Sequence, residues 1–221
     1  MGVEELRTGR IRESLRHFME SVKLHPDFAE AQNGLGLAHM FLGNEDLAVA
    51  HFERALEIKK DYSEVRNNMA RVLLNQGRYR EAIPLLEKAL EDVFLPNRYL
   101  AECNLGWAYF NVGREKEGME RVMSALAQNE KYCVGYEYLG QMFQRRKQYD
   151  QAIEEYKNVM VHCPEYPPGR LNLGRVMLLK GDVEAGCAQL DLCRKKDRMR
   201  ESARECERLF RTSCSEASAP P

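Results

Sequence analysis

The stretch AEAQNGLGLAHMFLGNEDLAVAHFERALEIKKDY, from Ala29 to Tyr62, decides the fold of this 221-residue chain. Gly36 is its eighth residue and Gly43 its fifteenth, and Ala48, Phe52 and Ala55 stand at positions 20, 24 and 27. The second half therefore places a bulky residue between two small ones on one helical face. The small residue at position 8 marks where a second helix crosses the first, and Gly43 supplies the left-handed backbone of a tight turn between them. The stretch reads as two antiparallel helices.

Working outward, the small residue at position 8 returns as Ala70, Gly106, Gly140 and Gly174, at successive steps of 34, 36, 34 and 34 residues. The alternation at positions 20, 24 and 27 returns as Ala82, Leu86 and Ala89 and as Ala152, Tyr156 and Val159. The turn glycine returns as Gly77, Gly113 and Gly181, with Lys147 in its place once. This period is that of a tetratricopeptide repeat. An all-α superhelix of antiparallel helix pairs is expected, with repeats at 29–62, 63–98, 99–132, 133–166 and 167–197. Upstream, Gly9, Phe18 and Pro26 match positions 15, 24 and 32, so residues 1–28 are an incomplete repeat whose first helix begins before residue 1. Downstream, Ala203, Cys206 and Phe210 make 198–211 a capping helix, and 212–221 is small, polar and proline-ended, the composition of a disordered tail.

Thirty-three basic residues against thirty-four acidic ones give a net charge of −1, which provides no overall field for nucleic acid or anionic lipid. No run approaches the roughly 20 apolar residues of a membrane span, and the first residues lack the basic start and apolar core of a signal peptide. The five histidines lie in different repeats and in no motif, and no CxxC occurs, so neither a catalytic constellation nor a zinc site nor a cofactor is expected. Gly34-Leu35-Gly36 lies within a helix, where a phosphate loop would need a preceding strand. The expectation is a binding array and not an enzyme.

In tetratricopeptide geometry the first helix of each pair lines the inner side. The inward positions hold Leu37, Met40 and Phe41 in the first full repeat, Leu74 in the second, and Leu100, Trp107 and Phe110 in the third. The fourth repeat turns polar, with Glu137, Gln141, Gln144 and Arg145. The apolar set is a candidate site for an apolar or amphipathic peptide, the alternative being that these side chains are covered and form core. A carboxylate clamp is not expected: Asn33 and Asn67 are present, but Glu30 and Glu64 stand where cations belong.

Seven cysteines are many for a reduced cytosolic array. Cys133 opens the first helix of its repeat and Cys163 closes the second, so the two helix ends lie side by side. A bridge there closes a loop worth about 3 to 4 kcal/mol in the chain-entropy model. Cys193 and Cys206 are candidates for a second bridge, with Cys187 as a competing partner. The alternative is that all seven are small buried thiols.

The run ARVLLNQGRYREAIPLLEKALEDVFLPNRYLAECNLGWAYF, from Ala70 to Phe110, resembles the pilotin lipoproteins of type IV pilus systems, the PilF, PilW and Tgl group. The two-residue expansion Glu91-Asp92-Val93-Phe94-Leu95-Pro96 ahead of NLGWAYF is similar to a D-x-L-Y-P segment of that family and accounts for the 36-residue step. Tyr132-Cys133-Val134-Gly135-Tyr136, Cys163-Pro164, Cys193 and Cys206 resemble the Tgl branch. The resemblance implies a lipid-anchored protein at the periplasmic face of the outer membrane that binds the pilus secretin and promotes its multimer assembly. The family's signal sequence and lipidated cysteine are not found in this chain. A general cytoplasmic adaptor or co-chaperone is the competing expectation.

Overall fold

A computed structural model describes residues 2–164, 166, 168–196 and 201–214, with the side chain of Lys196 left aside. These residues form thirteen α-helices and no strand. The chain divides into two compact units, Met1–Arg121 and Val122–Pro221.

In the first unit, α1 (Gly2–Arg7) and α2 (Ile11–Leu24) precede the pairs α3 (Ala29–Phe41) with α4 (Glu45–Ile58) and α5 (Ser63–Asn75) with α6 (Tyr79–Leu90). α7 (Arg98–Asn111) follows, and α8 (Glu115–Gln128) runs across the division between the units. Each helix packs on the next through α7, and α3 also meets α5, which in turn meets α7. The reason for the position-8 glycine is visible at Gly36, where an added Cβ would collide with the ring of Phe52. Phe52 is fully buried with Ala48, Ala55, Val65 and Val72, the alternation read from the sequence. The series has one earlier member: Gly2, 34 residues before Gly36, lies under Phe18, whose ring would come within 2.9 Å of an added Cβ.

In the second unit, α9 (Cys133–Arg145), α10 (Tyr149–His162), α11 (Pro168–Lys180), α12 (Val183–Lys196) and α13 (Glu201–Ser213) pack in sequence. Gly140 sits against Tyr156 and Gly174 against Leu190, with 2.6 and 2.9 Å from the ideal Cβ position to the nearest side-chain atom. Lys147, at the turn that glycine occupies elsewhere, takes the same left-handed backbone at φ 59°. A side chain there carries a steric cost that glycine avoids.

Three disulfides close this unit: Cys133–Cys163, Cys187–Cys214 and Cys193–Cys206, with Cα separations of 6.0, 5.7 and 6.1 Å. Cys187 therefore pairs with Cys214 instead of competing for the other two. That bridge also revises the expected tail: α13 continues through Thr212 and Ser213, and Cys214 is buried. Residues 215–221, and residues 198–200 of the expected cap, lie outside the described residues. α13 covers its end of the unit with few apolar groups. Ala203 and Cys206 are its buried residues, and Cys206 joins Cys214 in a cluster with Leu171, Leu190 and Cys193, against which Leu209 and Phe210 rest.

Candidate partner-binding face of the first unit

The seven apolar residues expected on the inner side fall into three groups. Phe41, at the last turn of α3, is 56% exposed. Leu37, Met40 and Leu100 are half-buried, the first two resting on the Phe52 core, and Arg71 Nη2 lies 3.0 Å from Met40 Sδ. Leu74, Trp107 and Phe110 are buried, which corrects their assignment as contact surface. Residues 101–110 are buried without a break, so α7 has no free apolar stripe. Trp107 and Phe110 stack on each other at 6.3 Å with nearly parallel rings. The close approach of α8 to α7 needs Gly118, where an added Cβ would stand 2.6 Å from the carbonyl oxygen of Gly106.

A run of side-chain amides crosses the same face. Asn68 Nδ2 donates to Asn33 Oδ1 at 3.2 Å, linking α5 to α3, and Asn104 Nδ2 donates to Asn67 Oδ1 at 3.0 Å, linking α7 to α5. Asn33 and Asn67 share position 5 of their repeats, and Asn68 and Asn104 share position 6, so the repeat itself generates the ladder. Sequence reasoning weighed Asn33 and Asn67 only as parts of a carboxylate clamp. The pairing of position 5 with the next repeat's position 6 was the signal available.

Beside the ladder, the His39 and His51 rings stack at 5.3 Å, and His51 Nδ1 is 2.8 Å from Gln32 Oε1. Burial lowers the affinity of His39 for a proton, and burial followed by the repulsion of a charged His39 does the same to His51. Both rings therefore favour the neutral form when the chain is folded. In the second unit the corresponding position 5 is Glu137, which accepts from Tyr166 Oη, from Gln141 Nε2 at 3.2 Å and from Asn172 Nδ2 at 3.3 Å. Burial, then the Glu137 charge, raises the pKa of Tyr166 far above its ordinary value and keeps it a donor.

The expansion between α6 and α7 is ordered. Asp92 Oδ1 accepts from the Phe94 amide at 2.9 Å, Arg98 Nη1 donates to the Asp92 carbonyl at 3.2 Å, and Asn97 turns the chain at φ 51°. Leu95 is tucked inward at 7% exposure while Val93 and Phe94 stand out at 78% and 88%. Among the described residues no three histidine, cysteine or acidic side chains converge as metal ligands, and no helix is long and apolar enough to cross a membrane. Cys103 is buried, and burial raises its thiol pKa well above the usual range, so it stays protonated.

Family models described as tetratricopeptide repeat match residues 27–92 and 67–129. The chain carries tetratricopeptide repeats. No curated protein matches it. Among solved structures, this tetratricopeptide array is similar to PilW, described as a widely conserved type IV pilus biogenesis factor. The TM-score is 0.79 at 20% identity, over 92% of this chain and 93% of PilW. It is also similar to PilF of Pseudomonas aeruginosa, with a TM-score of 0.70 at 18% identity over 94% and 93% of the two chains. The Cut9–Hcn1 hetero-tetramer of APC/C gives 0.80 at 19% identity over 96% of this chain but only 41% of the other. At these identities the likeness establishes the tetratricopeptide fold.

Proposed function

We propose that this protein is a non-enzymatic pilotin-type scaffold of the Tgl branch, which binds the secretin subunit of the type IV pilus and promotes its multimer assembly. The observation that carries the reading is the two-way coverage of PilW, a pilus biogenesis factor matched along nearly its whole length and nearly the whole of this chain. Cut9, with a similar score, is matched over less than half its length. The three disulfides support a site in an oxidising compartment such as the periplasm, where the native form is a lipoprotein at the outer membrane.

The contact surface in this reading is Phe41 with the half-buried Leu37, Met40 and Leu100, framed from beneath by Leu74, Trp107 and Phe110. Asn67 and Asn68 each spend one end of the amide on the ladder and offer the other to the partner's main chain. The test compares heat- and detergent-resistant secretin multimers in membranes of cells with and without the gene. Loss of multimer with monomer still present is expected, and Phe41→Ala weakens secretin binding by about 2 kcal/mol as an exposed anchor. An unchanged multimer ladder removes the pilotin reading and leaves an adaptor with another partner.

A further inference from the structure

Three turns that join the second helix of one pair to the first helix of the next follow one another along one edge of the first unit: residues 25–28, 59–62 and 91–97. They differ in a complementary way. The first is a notch: Leu24, His25, Pro26, Asp27 and Phe28 line an open cleft of about 480 Å³, with Leu24 68% and Phe28 45% exposed. The third is a knob, Val93 and Phe94, held out by the Asp92 turn and by buried Leu95. The middle one carries Lys60 and Asp61, adjacent opposite charges, both exposed, whose side chains make no ion pair or hydrogen bond among the described residues. Lys59 beside them is already engaged, 3.6 Å from Glu30 and over the Tyr62 ring.

A two-fold axis through the middle turn exchanges the first turn with the third. In an isologous contact, residue i meets j while j meets i, so a surface carrying both a notch and a knob on either side of the axis satisfies itself twice. The charge doublet on the axis is likewise self-complementary, Lys60 of each copy facing Asp61 of the other. We propose that this edge is an interface between two copies of the chain, with Phe94 of each entering the Leu24–Phe28 cleft of the other. The fixed loop has already lost most of the freedom that binding would otherwise remove, so the aromatic ring contributes its buried area at little conformational cost. Beside the knob Lys88 is held by Glu91 at 2.6 Å and Arg98 by Glu102 at 3.3 Å, so neither cation is left to hold an anionic membrane as the occupant. The inference stands apart from the secretin reading, because it uses a different face.

Sedimentation of the full disulfide-bonded chain over a range of concentrations tests it. Dimer is expected, and Phe94→Asp or Leu24→Asp, at exposed positions that leave the helicity unchanged, weaken self-association by about 30-fold or more. Lys60→Asp and Asp61→Lys each weaken it, and the double exchange restores it. A chain that is monomeric at every concentration overturns the proposal, as does a dimer indifferent to Phe94→Asp. Monomer whose binding to secretin or to anionic vesicles is lost in Phe94→Asp also overturns it and assigns the knob to that partner.

Discussion

The two units build the same repeat with different fastenings. The first has one cysteine, buried and unbridged, and links its successive first helices by asparagine pairs above cores such as that around Phe52. The second contains all three disulfides, and its inner side is organised by the charged hub of Glu137. Where α13 brings little apolar surface, two covalent bridges tie it and the residue beyond it to α12, so cross-links stand in for burial. The repeat motif fixes where helices cross. It leaves open what holds them.

The largest expected break in this comparison comes from reduction. A closed loop of the Cys133–Cys163 size stabilises by about 3 to 4 kcal/mol, so Cys133→Ala with Cys163→Ala should lower the unfolding free energy of the second unit by that amount. Trp107, the one tryptophan, lies in the first unit and serves as its probe. Denaturant unfolding under a dithiol reductant should shift the helical circular dichroism to lower denaturant while the Trp107 fluorescence transition holds. Equal shifts of both signals would make the fastening common to the two units. Next in size, Asn67→Ala leaves the Asn104 amide buried without its acceptor and should cost about 1 to 3 kcal/mol, read in the Trp107 transition. A cost within error would reduce the ladder to decoration. The smallest effect is on pH. His39 and His51 hold protons less tightly when folded, so below about pH 6.5 the unfolded chain takes up protons that the folded one resists. The stability of the first unit should therefore fall as the pH drops from about 7 to 5, and His39→Gln with His51→Gln should flatten that slope.

Much of this was legible from small residues at fixed spacing. The small residues at helix crossings named the fold, and the same count places Gly2 one repeat earlier, since Gly2, Gly36, Gly140 and Gly174 each face a bulky group on the partner helix. The Cys133–Cys163 pairing was readable because a hairpin returns its ends to one place. Cys187–Cys214 was not, since Cys214 sits among small polar residues that resemble a tail and only its bridge fastens it. The face was half legible: periodicity says which residues share a side of a helix, not how many sides become covered. The signal in α7 was the lack of any charged residue from 103 to 110, which marks a helix buried all round.

The burial of Cys103 bears on how the chain acquires its bridges. Seven thiols with one left over can pair in about seven times as many ways as six. Cys103 precedes the six bridged cysteines, and it belongs to the unit that holds none of the three disulfides. Once that core closes, a protonated, inaccessible sulfur takes no part in exchange, and the remaining six sort among themselves in a later segment. Burial thus withdraws the odd thiol from the pairing of the other six.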